Sequence, residues 1–198
     1  MQSKNIFFPN LFTKTECSEI YSAFKHLLDN GWYEKFIQSM KSEAPLYFSK
    51  DWQYYNAVGN ANLPATLNHV DRLTELIEEE YQCKTSFLNS YIRLYESDSH
   101  LLIHTDREGL DITLSINIWG LENWALNISN VYYETWRADY NWDEFCDKEQ
   151  YKKDYTPFIT PRGSGVSCYG RNFPHWRDTL VCKDNEFVVQ LFYHWSIV

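Results

Sequence analysis

The chain has 198 residues and a mass of 23.7 kDa, the size of one large domain. Its 18 Lys and Arg against 27 Asp and Glu give a net charge of -9, the wrong sign for a protein whose affinity rests on phosphate contacts, so nucleic acid is not expected as a partner. With 44% hydrophobic and 18% aromatic residues it is a globular chain with a bulky core, no apolar run approaches the ~20 residues of a membrane span, and the N-terminus lacks the pattern of a secretory signal. Five cysteines, an odd number without C-x-x-C spacing, argue against a disulfide framework and against a thiolate zinc site; the cytoplasm is the expected compartment.

In chain order, Thr13-Lys-Thr-Glu16 has the form of a capping box, and Cys17, Ile20, Tyr21, Phe24, Leu27 and Leu28 fall on one helical face. This predicts a helix over about 14–29 that ends at Asn30-Gly31. Asn62 and Pro64 announce a second helix with Leu67, Val70, Leu73, Ile77 and Tyr81 as its buried stripe. From Phe87 the period becomes two: Phe87, Asn89, Tyr91, Arg93 and Tyr95 share one side, and Leu88, Ser90, Ile92 and Leu94 the other. Shorter strand-like runs follow at Leu101 to His104, Ile112 to Trp119, Trp124 to Ser129, Gly165 to Tyr169 and Phe187 to Trp195. Residues 134–155 form a polar, aromatic insertion expected over one rim, partly helical, as a lid that shapes selectivity. The pattern is a single domain over 1–198, mainly β with N-terminal helices: a mainly helical support over 1–86 and a sandwich or barrel over 87–198.

Of the six histidines, His26 and His69 fall in predicted helices and read as structural. His104 differs because it opens His104-Thr105-Asp106 at a strand end, where alternation puts imidazole and carboxylate on one face. A third ligand is needed for a metal, and His175 in Asn172-Phe-Pro-His175-Trp-Arg177 is the best candidate. Two imidazoles and one carboxylate on a facial triangle leave adjacent positions open, the arrangement that non-heme Fe(II) uses to hold a cosubstrate and O2 together.

These residues in this order resemble the Fe(II)/2-oxoglutarate-dependent dioxygenase superfamily, in its prolyl 4-hydroxylase-like branch. The resemblance runs from Phe12-Thr-Lys-Thr-Glu-Cys17 through Tyr95, His104-x-Asp106 and the strand Ile112 to Trp119 to His175 and the closing strand, nearly the whole chain. It implies a double-stranded β-helix, a jelly-roll, cupin-like barrel, with His104, Asp106 and His175 as metal-binding catalytic residues, 2-oxoglutarate as cosubstrate, and succinate and CO2 as coproducts. The implied reaction is hydroxylation of a C–H bond of an amino acid, peptidyl side chain or other small molecule. Asp106 in the carboxylate position favours hydroxylation over halogenation.

A buried carboxylate of the cosubstrate needs a cation. Many members of the superfamily carry Lys or Arg at the start of the last strand, where this chain has Asp184-Asn185-Glu186-Phe187. Arg177, two residues after His175, takes that role if its stretch is extended; Arg93 and Lys183 are the alternatives. Tyr95 matches a tyrosine that contacts the cosubstrate. Arg107 and Arg162 are loop residues placed to meet substrate, Asn117 and Asn127 face cavity or solvent, and Trp119, Trp124, Trp176 and Trp195 belong to the core. The alternative reading is a non-catalytic jelly-roll module that binds a metal or a ligand, and the missing cation on the last strand is the feature that feeds it.

Overall fold

The structure, a computed structural model, describes residues 4–30, 57–133 and 149–198. The helical end at Gly31 and residues 134–148 of the expected lid lie outside the described residues. In chain order the elements are β1 (Ile6–Phe8), α1 (Lys14–Asp29), β2 (Ala57–Ala61), α2 (Pro64–Leu67), α3 (Val70–Tyr81), β3 (Thr85–Tyr95), β4 (Leu101–His104), β5 (Ile112–Gly120), β6 (Leu126–Ser129), a 3-10 turn (Glu149–Lys152), β7 (Tyr155–Phe158), β8 (Gly165–Cys168), β9 (His175–Arg177) and β10 (Val188–Ile197). No helix among them is long and apolar enough to cross a membrane.

The first helix forms as its cap dictates. The Thr13 hydroxyl accepts from the Glu16 N–H at 3.2 Å while the Thr13 N–H donates to the Glu16 carboxylate at 2.7 Å, and Cys17, Ile20 and Phe24 are buried. The helix ends at Asn30, whose side-chain amide and backbone N–H both donate to the His26 carbonyl. The second helix of the sequence analysis is two helices. The Thr66 carbonyl accepts from His69 N–H and from the Tyr193 hydroxyl, the turn breaks at Asn68-His69, and Leu67 is left 39% exposed instead of joining the stripe. Beyond the break Leu73, Ile77 and Tyr81 are buried as their period requires.

Two antiparallel sheets face each other, in strand orders β1-β8-β5-β10-β3-β2 and β4-β9-β6-β7. Alternation divides the larger sheet cleanly. Its outer face (Ile92, Ile112, Leu114, Ile116, Ile118, Leu191, Tyr193 and Trp195) packs with α1 and α3 into the main core. Its inner face is more polar, with Thr113, Ser115 and Asn117 on β5, Gln190 and His194 on β10, and Asn89, Tyr91, Arg93 and Tyr95 on β3. The smaller sheet contributes Leu101, Leu126 and Ile128, which pack with Val166, Cys168 and Phe173 between the sheets. Two helices buttress one sheet of a jelly-roll barrel, as the sequence predicts.

Strands β2, β7 and β9 are additions to the sequence reading. Tyr155, placed there at the end of the insertion, begins β7, which pairs with β6 from Ser129↔Tyr155 to Leu126↔Phe158. Strand β9 pairs with β4 in a register that carries a bulge: Leu101 faces Arg177 and His104 faces His175, three steps on one strand against two on the other. The extra residue brings both Leu101 and His104 to the inner face beside Arg177 and His175.

Candidate metal centre

His104 ends β4, Asp106 follows one residue into the loop, and His175 begins β9 directly opposite His104. All three side chains are buried, and their ligand atoms lie within 4.8 Å of one another. Each histidine Nε2 is 3.8 Å from Asp106 Oδ1, and the two rings are 4.3 Å apart at their centroids. The other ring nitrogens are occupied: His104 Nδ1 donates to the Leu102 carbonyl at 2.8 Å and His175 Nδ1 to the Phe173 carbonyl at 3.1 Å. Both Nε2 lone pairs are thereby directed at Asp106 Oδ1, the tautomer a metal requires.

The carboxylate is held as firmly. Asp106 Oδ2 accepts from the Thr113 hydroxyl, and the Asp106 N–H donates to the Gly170 carbonyl at 2.9 Å. Gly170 is required by space, since a Cβ there would lie 2.0 Å from Asp106 Oδ2 and 2.6 Å from Thr113 Oγ1. Burial opposes ionisation of Asp106, but His175, His194, His104 and the Thr113 hydroxyl together outweigh it and hold the carboxyl below its ordinary range. Burial first, and the neighbouring His175 second, push His104 down to about 3, so the imidazole is neutral. One anionic oxygen donor and two neutral nitrogen donors suit a divalent first-row transition ion.

Arg177, two residues past His175 on the same face of β9, is 1% exposed. Its Nη1 donates to the Trp124 carbonyl at 2.6 Å, and its Nη2 to Ser115 Oγ and Gln190 Oε1 at 3.2 Å each. All three acceptors are neutral, and Nε has no hydrogen bond among the described residues. Burial pushes the guanidinium down to about 10, against a smaller opposing effect of Tyr95. Tyr95 is fully buried and meets Trp124 edge-on at 4.9 Å, and Trp124 also lies under the guanidinium. Arg93 is buried further along β3, over the Tyr91 ring at 4.6 Å and close enough to His104 to act on it. Lys183 is exposed on the turn before β10.

The remaining sequence candidates separate. Arg107 acts electrostatically on His194 and so belongs to the rim of the centre, whereas Arg162 stacks on Trp119 at 4.0 Å beside Tyr21 and Cys17, on the helical side. Asn117 faces neither open cavity nor solvent: it is buried and donates to the Leu121 and Thr160 carbonyls. Asn127 is buried too and donates to Asp178. Trp124, Trp176 and Trp195 are core residues, and Trp119 is half-buried against Tyr21. Thr113, Ser115, Gly170, Gln190 and His194 were not singled out from the sequence. The alternation of Thr113, Ser115 and Asn117 with four isoleucines and leucines was the readable signal for the first two.

No family model matches the chain, and no curated protein matches it in sequence. Solved structures do match. The non-heme α-ketoglutarate-dependent epimerase SnoN of nogalamycin biosynthesis superposes with a TM-score of 0.67 at 11% identity, covering 98% of this chain and 77% of that one. The carbocyclase SnoK of the same biosynthesis gives 0.66 at 12%, covering 98% and 80%. A prolyl-4-hydroxylase from Pseudomonas putida gives 0.60 at 9%, covering 98% and 92%. The chain thus has the double-stranded β-helix fold of the Fe(II)/2-oxoglutarate oxygenases, and its His-Asp-His cluster lies between the two sheets of that fold.

Proposed function

We propose that the protein is an Fe(II)- and 2-oxoglutarate-dependent dioxygenase that hydroxylates a C–H bond of a small molecule, amino acid or peptidyl side chain. The observation that carries this reading is the pairing, on one short strand, of the metal-ligand candidate His175 with a buried guanidinium that has only neutral partners. His104, Asp106 and His175 hold Fe(II); Arg177 receives the far carboxylate of 2-oxoglutarate, with Ser115 and Gln190 fixing the guanidinium and Tyr95 and Trp124 enclosing it. When bound, the metal and cosubstrate supply oxidative decarboxylation of 2-oxoglutarate by O2 to succinate and CO2, coupled to oxidation of the substrate.

The chain's own residues do the rest. Carbonyl hydrogen bonds at both Nδ1 atoms keep the Nε2 lone pairs available, and Thr113 holds Asp106 so that Oδ1 points at the two rings. A carboxylate accepted by Arg177 would replace an uncompensated buried charge with a charge-assisted pair in a water-poor interior. Arg177 supplies from β9 the cation that the last strand lacks, which answers the feature behind the non-catalytic reading.

The test is an anaerobic titration of the metal-free protein with Fe(II) and 2-oxoglutarate, followed by the weak visible charge-transfer band of the chelate. A band that needs both components and is lost in His175→Ala supports the reading; no band in folded wild type overturns it.

A further inference from the structure

One inner-face imidazole has no part in this scheme. His194 on β10 stands in a row across the larger sheet, opposite Asn89 of β3 on one side and Thr113 of β5 on the other, and Thr113 in turn holds Asp106. Its Nδ1 is 2.7 Å from the Asn89 side-chain oxygen, which can only accept, so the ring proton sits on Nδ1 and Nε2 carries a lone pair. Nε2 has no hydrogen-bond partner among the described residues, and the ring is half-buried, so the lone pair opens onto the cavity. The imidazole lies near enough to Asp106 and His175 to act on both, and its other charged neighbour is Arg107 on the loop after Asp106.

We infer that His194 is the specificity-determining residue of the site, accepting at Nε2 a hydrogen bond from a hydroxyl or amine that the substrate carries beside the carbon to be oxidised. The inference rests on the oxygenase reading and narrows its substrate class to molecules with such a donor near the reacting carbon. A cross-link between strands does not account for the residue, because β3 and β10 are already paired through their backbones on both sides of it. An acceptor that stays unpaired in a half-buried site is costly, and a donor-bearing substrate removes that cost while an analogue without the donor does not. Asn89 acts through His194: by holding Nδ1–H it fixes both the tautomer and the ring plane, which makes it a positioning residue.

The experiment uses full-length protein loaded with Fe(II) and 2-oxoglutarate without O2, and as probes D-glucosamine, trans-2-aminocyclohexanol, L-lysine and hygromycin B, each beside its O- and N-methylated counterpart. Binding is read from the shift of the chelate band and from saturation-transfer NMR. The expected result is that at least one donor-bearing probe binds wild type, that its methylated counterpart does not, and that His194→Phe weakens binding at least tenfold. His194→Gln, which can still accept, recovers part of the binding, and the chelate band survives in both variants. Equal binding by wild type and His194→Phe, binding of the methylated probes as well as their parents, or no binding of any probe to wild type overturns the inference and leaves the oxygenase reading standing. Absence of the chelate band in wild type removes that reading and the inference with it.

Discussion

Replacing Arg177 by Met separates two effects that usually move together. In the free protein the guanidinium is wholly buried against neutral acceptors, and its displacement from 12.5 to about 10 corresponds to a cost of roughly 3 kcal/mol for keeping it charged. Met fills similar space without that charge. Ser115 Oγ and Gln190 Oε1, 3.5 Å apart, can pair with each other, which leaves the Trp124 carbonyl as the group without a donor, at about 1–3 kcal/mol. The net expectation is a free protein as stable as wild type or more stable by up to ~2 kcal/mol, a rise of at most several degrees in Tm for a chain of this size. Affinity for 2-oxoglutarate moves the other way: loss of a buried charge-assisted pair costs ~2–5 kcal/mol, about 30-fold to more than 1,000-fold in Kd. Thermal unfolding without ligand and anaerobic titration of the Fe(II)-loaded protein measure the two quantities on one sample. A variant that melts well below wild type yet binds 2-oxoglutarate within threefold of it would show that Arg177 is a structural residue and that the anion is held elsewhere.

Gly170→Ala should leave the fold intact and weaken metal binding at least tenfold, since the new Cβ collides with the Asp106 carboxylate; a metal Kd equal to wild type by competition with a chromophoric chelator refutes this. Because the folded protein holds His104 down to about 3 while the unfolded chain titrates near 6.5, the metal-free protein has its full stability above about pH 6.5 and loses it as pH falls toward 3. That single group accounts for ~2 kcal/mol between pH 7 and pH 5, and Asp106, with its lowered pKa, adds a loss at lower pH still; identical denaturant midpoints at pH 7 and pH 5 would contradict the assignment. Thr13→Ala removes both halves of the capping box and should cost ~1 kcal/mol in urea unfolding with metal binding unchanged.

Much of the centre was legible because it depends on alternation. In His104-Thr105-Asp106 and His175-Trp176-Arg177 the chemistry-bearing residues are two apart, and period two alone puts each pair on one face. What could not be read is what crosses between strands. That His104 stands opposite His175 depends on a bulge, and that Arg177 meets Ser115 and Gln190 depends on packing of one sheet over the other. Strands β2 and β7 escaped notice because Ala57-Val-Gly-Asn-Ala61 and Tyr155-Thr-Pro-Phe158 carry Gly, Ala and Pro, which weigh against strand propensity yet are tolerated at sheet edges. The break at Asn68-His69 was hidden in the same way: Leu67 fits the helical period, and only the distant Tyr193 hydroxyl claims the carbonyl of Thr66.

The bulge in β4 makes segment length, rather than composition, the sensitive variable between residues 101 and 104. Aliphatic exchanges at Leu102 or Ile103 leave the register alone. Deleting either residue gives the two strands equal steps between the facing pairs, and the chain must then choose which end to keep. If it keeps Leu101 against Arg177, His104 turns to the outside of the barrel; if it keeps His104 against His175, Leu101 leaves the core. In this stretch a frame of one residue therefore separates a three-donor centre from a two-donor one with no change in any side chain that touches the metal.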